Sequence, residues 1–541
     1  MASAQPISGT LFICGGGKIP DDALAHFVEL AGGHKAHLVV ITTASETAET
    51  SEVDSRLEFW RRQKLSELTI LHTRDRHVAD DPNFTAPLET ATGVWFIGGH
   101  QQRVTDAYLG TRTETAIKGV LERGGVVGGT SAGAAIMSQL MITGGTPDHP
   151  ELGYGLGFLP GTLVDQHFLK RKREKRLLHA LSEYPKLVGV GIDENTALIV
   201  QGRKFSVRGE SGVVVYLPPV GGKPPVARTL LEGMEADLLA LHRAVQSRIH
   251  PKYQFDDAHP KPEGPSGTLV VVGGGEIPDE AAEKFVEAAG GPQALIVVVT
   301  TALGDKPDSE SRAIAWLTEA GAKQVRFVHP QTRAEAEDPA LLALLQKAGG
   351  LWFTGGRQWR LVDVFDGTAA EKAFHAVLTR GGAIGGNGGG ASILSDYLVR
   401  GNPLSNKEIM APGYEDGFGF LKGVAIDPFF TQRNRFSDMA RLKREYPNLV
   451  GVGIDEETAL VIKEGQIDVV GKNHVVVYDR DQPDEADERF EFLFGGDRYD
   501  LARRSRMGPP RDDQAAPRVA VAEPANDDAD PEPQPPLACD E

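Results

Sequence analysis

A serine held between glycines is the first place in this chain where chemistry is legible. Gly129-Thr130-Ser131-Ala132-Gly133 follows the short apolar stretch GGVVGG and precedes AAIMSQLM. The G-x-S-x-G pattern suits an elbow at which a strand turns so sharply into a helix that side chains do not fit beside the serine, whose hydroxyl then projects. Gly is 63 of 541 residues, so the same run also reads as a glycine-rich turn. A nucleophilic serine needs a base, and the base needs an acceptor to orient it. Of 15 histidines, His167 in Val-Asp-Gln-His-Phe is the candidate base because of its company. Arg171, Arg173 and Arg176 follow it, a set of guanidiniums suited to holding a carboxylate or, equally, a solvated basic helix face. Further on, LVGVGIDENTALIV reads as a hairpin-like pair of strands with Asp193-Glu194 between them. An acidic pair in a turn usually faces water; Glu194 gains interest only as the third member of a triad.

The elements that must position these groups alternate in type. Short β-branched runs end in glycine (LFICGGG, HLVVITTAS, GVWFIGG, GVVGGTSAG), and helix-like segments such as DDALAHFVELAGG and TRTETAIKGVLERGG lie between them. Continuous apolar strands separated by amphipathic helices predict an α/β fold, a doubly wound parallel sheet with helices on both faces. Ligands of such sheets bind beyond the carboxyl ends of the strands, where the glycines stand. Most of the Gly-Gly pairs read simply as turns.

The chain is written twice. SGTLFICGGGKIPDDALAHFVELAGG begins at Ser8 and SGTLVVVGGGEIPDEAAEKFVEAAGG at Ser266. VWFIGGHQ returns as LWFTGGRQ, GGTSAGAAIMS as GGNGGGASILS, and YPKLVGVGIDENTALIV as YPNLVGVGIDEETALVI. A period this long makes each copy a domain, not a solenoid repeat. The expected bounds are 1–249 and 266–507, with a proline- and charge-rich linker at 250–265 and an acidic, proline-rich tail at 508–541 expected to be disordered.

GGTSAGA, DQHF followed by spaced arginines, and GIDE, in that order, resemble cyanophycinase, in the peptidase E-like group of serine peptidases. The resemblance spans residues 8 to about 240 and returns in degraded form from 266 to about 507. The order Ser, His, Glu differs from that of α/β-hydrolases, where the acid precedes the histidine. The resemblance implies a three-layer fold similar to class I glutamine amidotransferases, with Ser131 as nucleophile, His167 as general base and Glu194 as its orienting partner. It implies oxyanion donors in the backbone N–H groups of Ala132 and Gly99. It puts Gln101, Asp165, Gln166, Arg171, Arg173 and Arg176 at substrate-binding positions, with the arginines gripping carboxylates and Asp165 facing a guanidinium. His100 departs from the family's usual acidic or amide residue and leaves the fine specificity open. The implied substrate is cyanophycin, a poly-aspartate carrying arginine on each side-chain carboxyl, cut in its backbone to β-aspartyl-arginine. Alternatives are a related peptidase for short aspartyl peptides, a non-catalytic binding protein, and an esterase or lipase.

In the second copy Ser131 falls on Gly388 and His167 on Phe429, and only Glu456 remains of the triad. Ser392 matches Ala135 and, one turn past the elbow, is expected to point away from the attack position. Gln358, Arg433 and Arg435 match Gln101, Arg171 and Arg173, whereas Asp438 replaces Arg176. The expectation is a catalytically dead half. Since enzymes of this kind commonly pair as homodimers, the resemblance implies that the two halves form an intramolecular pseudo-dimer.

Composition narrows the classes. A formal charge of −18 argues against a nucleic-acid partner. No run approaches the ~18–20 apolar residues of a membrane span. The opening MASAQPISGTLFICGGG has neither a basic n-region nor a long apolar core, so the expected location is cytoplasmic. Cys14 in an apolar run and Cys539 in a polar tail make a structural disulfide unexpected. No HExxH or His/Cys cluster is present, and neither a metal nor a cofactor is expected.

Overall fold

Alternation along one strand explains the layering of the first half. In the computed structural model, which describes residues 6–250, 266–304, 310–479 and 490–508, the strand Ile7–Cys14 is buried along its last six residues. Phe12 and Cys14 pack with Phe27, Trp60 and Trp95 on one face, while Leu11 and Ile13 pack with Val104, Tyr108, Ile117 and Val120 on the other. The period-two geometry of a strand makes this division. A strand whose run Leu11–Cys14 is apolar on both faces therefore takes helices on both sides: Asp21–Leu30 and Asp54–Arg62 on one, Gln101–Tyr108 and Arg112–Glu122 on the other.

The described residues fall into two compact units, on either side of the segment 251–265. In the first, an eight-stranded sheet runs 235–237, 204–209, 196–202, 7–14, 126–130, 93–96, 37–41, 67–71. The last five strands are parallel and the first three antiparallel additions. A second sheet of four strands, 226–230, 213–217, 188–192, 162–166, stands apart from it. The second unit repeats both, with a nine-stranded sheet centred on Thr268–Val272 and a five-stranded sheet containing Leu421–Pro428 and Val450–Ile454. Val270, Val272, Phe285 and Trp352 reproduce the core of the first unit.

One expectation is corrected here. LVGVGIDENTALIV is not a hairpin: Val188–Ile192 pairs with Thr162–Gln166 and Val213–Leu217, whereas Thr196–Gly202 pairs with Ile7–Cys14 and Lys204–Gly209. The reason lies in the glycines of VGVGI. A Cβ at Gly189 would lie 2.5 Å from Leu181 and one at Gly191 2.4 Å from the Phe168 ring, so that face is filled by the helix Glu174–Glu183 and by Phe168. Asp193-Glu194-Asn195 is thus the crossing between two sheets.

The expected linker beyond His250 and the tail beyond Gly508 lie outside the described residues. Among the described residues no helix is long and apolar enough to cross a membrane.

Candidate active site

The elbow forms where Val126–Thr130 ends. Ser131 takes φ 55° and ψ −105°, a conformation disfavoured for a residue with a Cβ, before the short helix Ala132–Ala135. Three contacts hold it there. The Ser131 N–H donates to Cys14 O at 3.0 Å, a Cβ at Gly129 would meet the Gly133 backbone at 2.8 Å, and one at Gly133 would meet Phe96 O at 2.6 Å.

His167 arrives from the other sheet, just past Thr162–Gln166, also with a left-handed backbone at φ 50°. Its N–H donates to Gly15 O at 2.8 Å. Its ring lies against Gly16, where a Cβ would be 2.2 Å from the imidazole. Nε2 lies 2.8 Å from Ser131 Oγ, and Nδ1 lies 2.6 Å from Glu194 Oε1. The order Ser131 O–H to Nε2, then Nδ1–H to carboxylate, is that of a nucleophile with a general base and an orienting acid. Burial lowers the His167 pKa, the hydrogen bond to Glu194 raises it, and the charge of Arg171 lowers it again; the net position is below the ordinary imidazole value. The ring is therefore neutral, and able to accept a proton, across the neutral range.

Asp193 supplies the footing for this arrangement. Buried in the crossing, it accepts from the Lys170 N–H and from the Ser211 hydroxyl, each at 2.8 Å, and so ties the segment after His167 to the strand that delivers Glu194. The N–H groups of Gly99 and Ala132 donate to no acceptor among the described residues, as oxyanion donors must before substrate arrives. A Cβ at Gly99 would stand 2.0 Å from Ala44 O, so the close turn there admits only glycine. His100 beside it is exposed.

The residues expected to grip substrate separate into two groups. Asp165 is fully buried beneath the chain's own guanidiniums, with Arg176 Nε at 2.8 Å, Arg176 Nη2 bonded to its other oxygen, and Arg173 Nη1 at 3.6 Å. Its expected role of facing a substrate guanidinium is corrected: that role is filled from within, because a fully buried carboxylate requires an internal partner. Arg173 also donates to Gln166 O at 2.7 Å, and burial, its first cause, brings its pKa down to about 10. Gln166 is buried, and the Gln101 amide donates to Ile142 O at 2.8 Å. Of the three arginines only Arg171 is well exposed, at 53%, with Nε 4.0 Å from Glu194.

The second unit keeps the backbone of this site. Gly388 has φ 54° and ψ −122°, and Phe429 has φ 54° although it is not glycine. The Gly388 N–H donates to Val272 O and the Phe429 N–H to Gly273 O, both at 3.1 Å. Asp455 accepts from the Thr431 N–H at 2.8 Å, as Asp193 does from Lys170. Asp427, the counterpart of Asp165, is again fully buried and receives Arg435 Nη1 at 2.5 Å. Its second guanidinium comes from Arg400, whose Nε lies 3.0 Å away and whose Nη2 reaches Asp438 at 2.6 Å. Burial alone would raise the Asp427 pKa; Arg400 and Arg435 hold it below the usual carboxylate range. Ser392, expected to point away from the attack position, is fully buried in the wall of the cleft.

Three contributors were not singled out in the sequence. Gly16 makes the space for the imidazole, and its signal was the repeated GGG after the first strand. Asp193 had one in the recurrence of GIDE where the serine and histidine are lost. Arg400 had none of its own; the hint was Asp438, since reversing a charge beside a buried aspartate demands a cation from elsewhere.

The profile of Peptidase family S51 matches residues 11–208 and 269–470. The chain is 34% identical over 191 residues to a cyanophycinase of Geminocystis herdmanii, covering 34% of this chain and 70% of that protein. It is 36% identical over 205 residues to a cyanophycinase of Synechococcus elongatus, covering 36% of this chain and 63% of that one. A solved peptidase from an acI-B1 Actinobacterium is 25% identical, with a TM-score of 0.34 over 43% of this chain and 98% of its own.

Proposed function

The chain belongs to peptidase family S51, and from that premise we propose that its first half hydrolyses the poly-aspartate backbone of cyanophycin to β-aspartyl-arginine, while its second half catalyses nothing. The observation that carries this is the unbroken line Ser131–His167–Glu194, with hydrogen-bond distances of 2.8 and 2.6 Å.

In this reading His167 Nε2 takes the hydroxyl proton as Ser131 Oγ attacks the backbone carbonyl. Glu194 holds the ring in the tautomer that leaves Nε2 free and stabilises the imidazolium that forms. The N–H groups of Ala132 and Gly99 receive the oxyanion. The imidazolium then gives its proton to the leaving amine, and water, activated by the same nitrogen, resolves the acyl-enzyme.

Exposure assigns the contacts with substrate. Arg171 is the guanidinium available to a substrate carboxylate; Arg173, Arg176, Asp165, Gln166 and Gln101 act as positioning residues that shape the wall behind it. The second half has a glycine at the nucleophile position and a phenylalanine at the base position, so no proton transfer is available there. The test is incubation of purified protein with cyanophycin and, separately, with short aspartyl peptides, with products identified by mass. Accumulation of β-aspartyl-arginine from the polymer is expected. Early release of free arginine would mean cleavage of the side-chain bond, and turnover of the short peptides alone would mean a different substrate.

A further inference from the structure

The second half has lost its chemistry but not its cleft. A small cleft lies at its elbow, walled by Gly356, Gly389, Ser392, Phe429, Arg433 and Arg435, with Arg357, Arg400 and Asp427 also contributing. Two polar groups in this wall are buried and have no hydrogen-bond partner: the Ser392 hydroxyl, fully buried, and Nε of Arg435, whose residue is 4% exposed. A buried hydroxyl or guanidinium N–H left unpaired is costly, by an amount that a ligand group would recover. The N–H groups of Gly356 and Gly389, counterparts of the expected oxyanion donors, donate to no acceptor among the described residues.

The charges of the wall state what such a ligand carries. Among the described residues of the wall Asp427 is the only acid, already neutralised by Arg400 and Arg435. Arg433 forms no ion pair among the described residues; its guanidinium lies over the Phe429 ring, 4.5 Å from the centroid. The ring that replaced the imidazole thus serves as a platform that holds a cation at the cleft. A wall of guanidiniums, free backbone N–H groups and one unsatisfied hydroxyl is complementary to a carboxylate.

We propose that this cleft binds the free carboxylate of an aspartyl-arginine unit and holds it uncut, giving the chain a second contact with its substrate. The identity of the ligand rests on the substrate reading above. A second contact on one chain turns rebinding of a polymer into an intramolecular event, which raises retention without any new catalytic group.

The full-length Ser131→Ala chain is to be dialysed against labelled β-aspartyl-arginine and against the same dipeptide with its arginine carboxyl amidated. One bound equivalent should vanish with Arg433→Gln, persist with Arg171→Gln, and be lost for the amidated probe. Ser392→Ala removes a hydroxyl that has no partner in the protein, and should weaken that equivalent about tenfold, as for a lost hydrogen bond to a charged group. Absence of any equivalent that depends on Arg433, or equal binding of the amidated probe, overturns the proposal. Polymer hydrolysis by the unaltered chain is measured alongside. If hydrolysis fails while the Arg433-dependent equivalent remains, the substrate reading falls and the carboxylate site stands.

Discussion

The two halves carry the same buried aspartate and satisfy it by different routes. In the first, Asp165 takes its bidentate partner from Arg176, eleven residues further on. In the second, that position is Asp438, and the guanidinium comes from Arg400, whose counterpart is a threonine, Thr143: the Gln101 amide donates to the carbonyls of Ile142 and Thr143 as the Gln358 amide does to those of Val399 and Arg400. An arginine and a small residue have become an aspartate and an arginine, and the buried carboxylate never stands alone. The half that has lost serine and histidine still keeps this neutralisation, so its purpose is the integrity of the wall, not contact with substrate. The same comparison separates catalysis from geometry at the elbow. Gly388 and Phe429 retain backbone angles within a few degrees of φ for Ser131 and His167, 54° and 54° against 55° and 50°. Those angles go with the close approach of neighbouring backbone, and they hold in a half that has neither serine nor histidine at these positions.

The largest effect expected is at Ser131. Ser131→Ala should lower polymer hydrolysis by about 10⁴–10⁶, roughly 5–8 kcal/mol of barrier, with folding retained. Adding Gly388→Ser should restore nothing, because Phe429 accepts no proton. Steady turnover in that double variant would erase the distinction drawn between the halves.

The charge exchange comes next. Arg400→Thr leaves Asp427 with Arg435 as its remaining guanidinium partner and should cost about 3–5 kcal/mol, seen as a lower urea midpoint for the full chain. Adding Asp438→Arg recreates the first half's arrangement and should recover most of the loss. If the double variant is no more stable than Arg400→Thr, the two routes are not equivalent.

The smallest effect is a displacement in pH. His167 must be neutral to take the serine proton, so the rate falls as pH drops through its pKa. Burial and the charge of Arg171 both hold that pKa down. Arg171→Met removes the second cause, raises the pKa, and should move the acid limb of the kcat/KM profile to higher pH. A limb that stays in place or moves to lower pH would remove Arg171 from the neighbourhood of the base.

Much of the architecture was legible in the residues. The glycine-ended apolar runs announced strands buried on both faces, and the repeat announced two copies of one fold. The second sheet was hidden, since GIDE between two apolar runs looks the same whether the strands pair with each other or part company. Only the filling of the glycine face of Val188–Ile192 by Leu181 and Phe168 decides between them.

For the site the division follows the range of the interactions. The candidacy of a nucleophile and a base is a matter of side-chain chemistry, and Ser131 and His167 could be picked out from their local runs, whereas Glu194 was reached only through the family resemblance. Whether a charged group meets a substrate or its own chain depends on what lies across from it in space. Asp165 and the arginines at 173 and 176 are polar residues close in sequence to His167, and by type alone they suit substrate. Burial reverses this, since a carboxylate removed from water takes the nearest guanidinium, and the fold delivers Arg176 to Asp165 and Arg400 to Asp427. Sequence determined which groups were present to react; the tertiary structure decided which were left free to do so, because desolvation commits every buried charge to a partner before any ligand arrives.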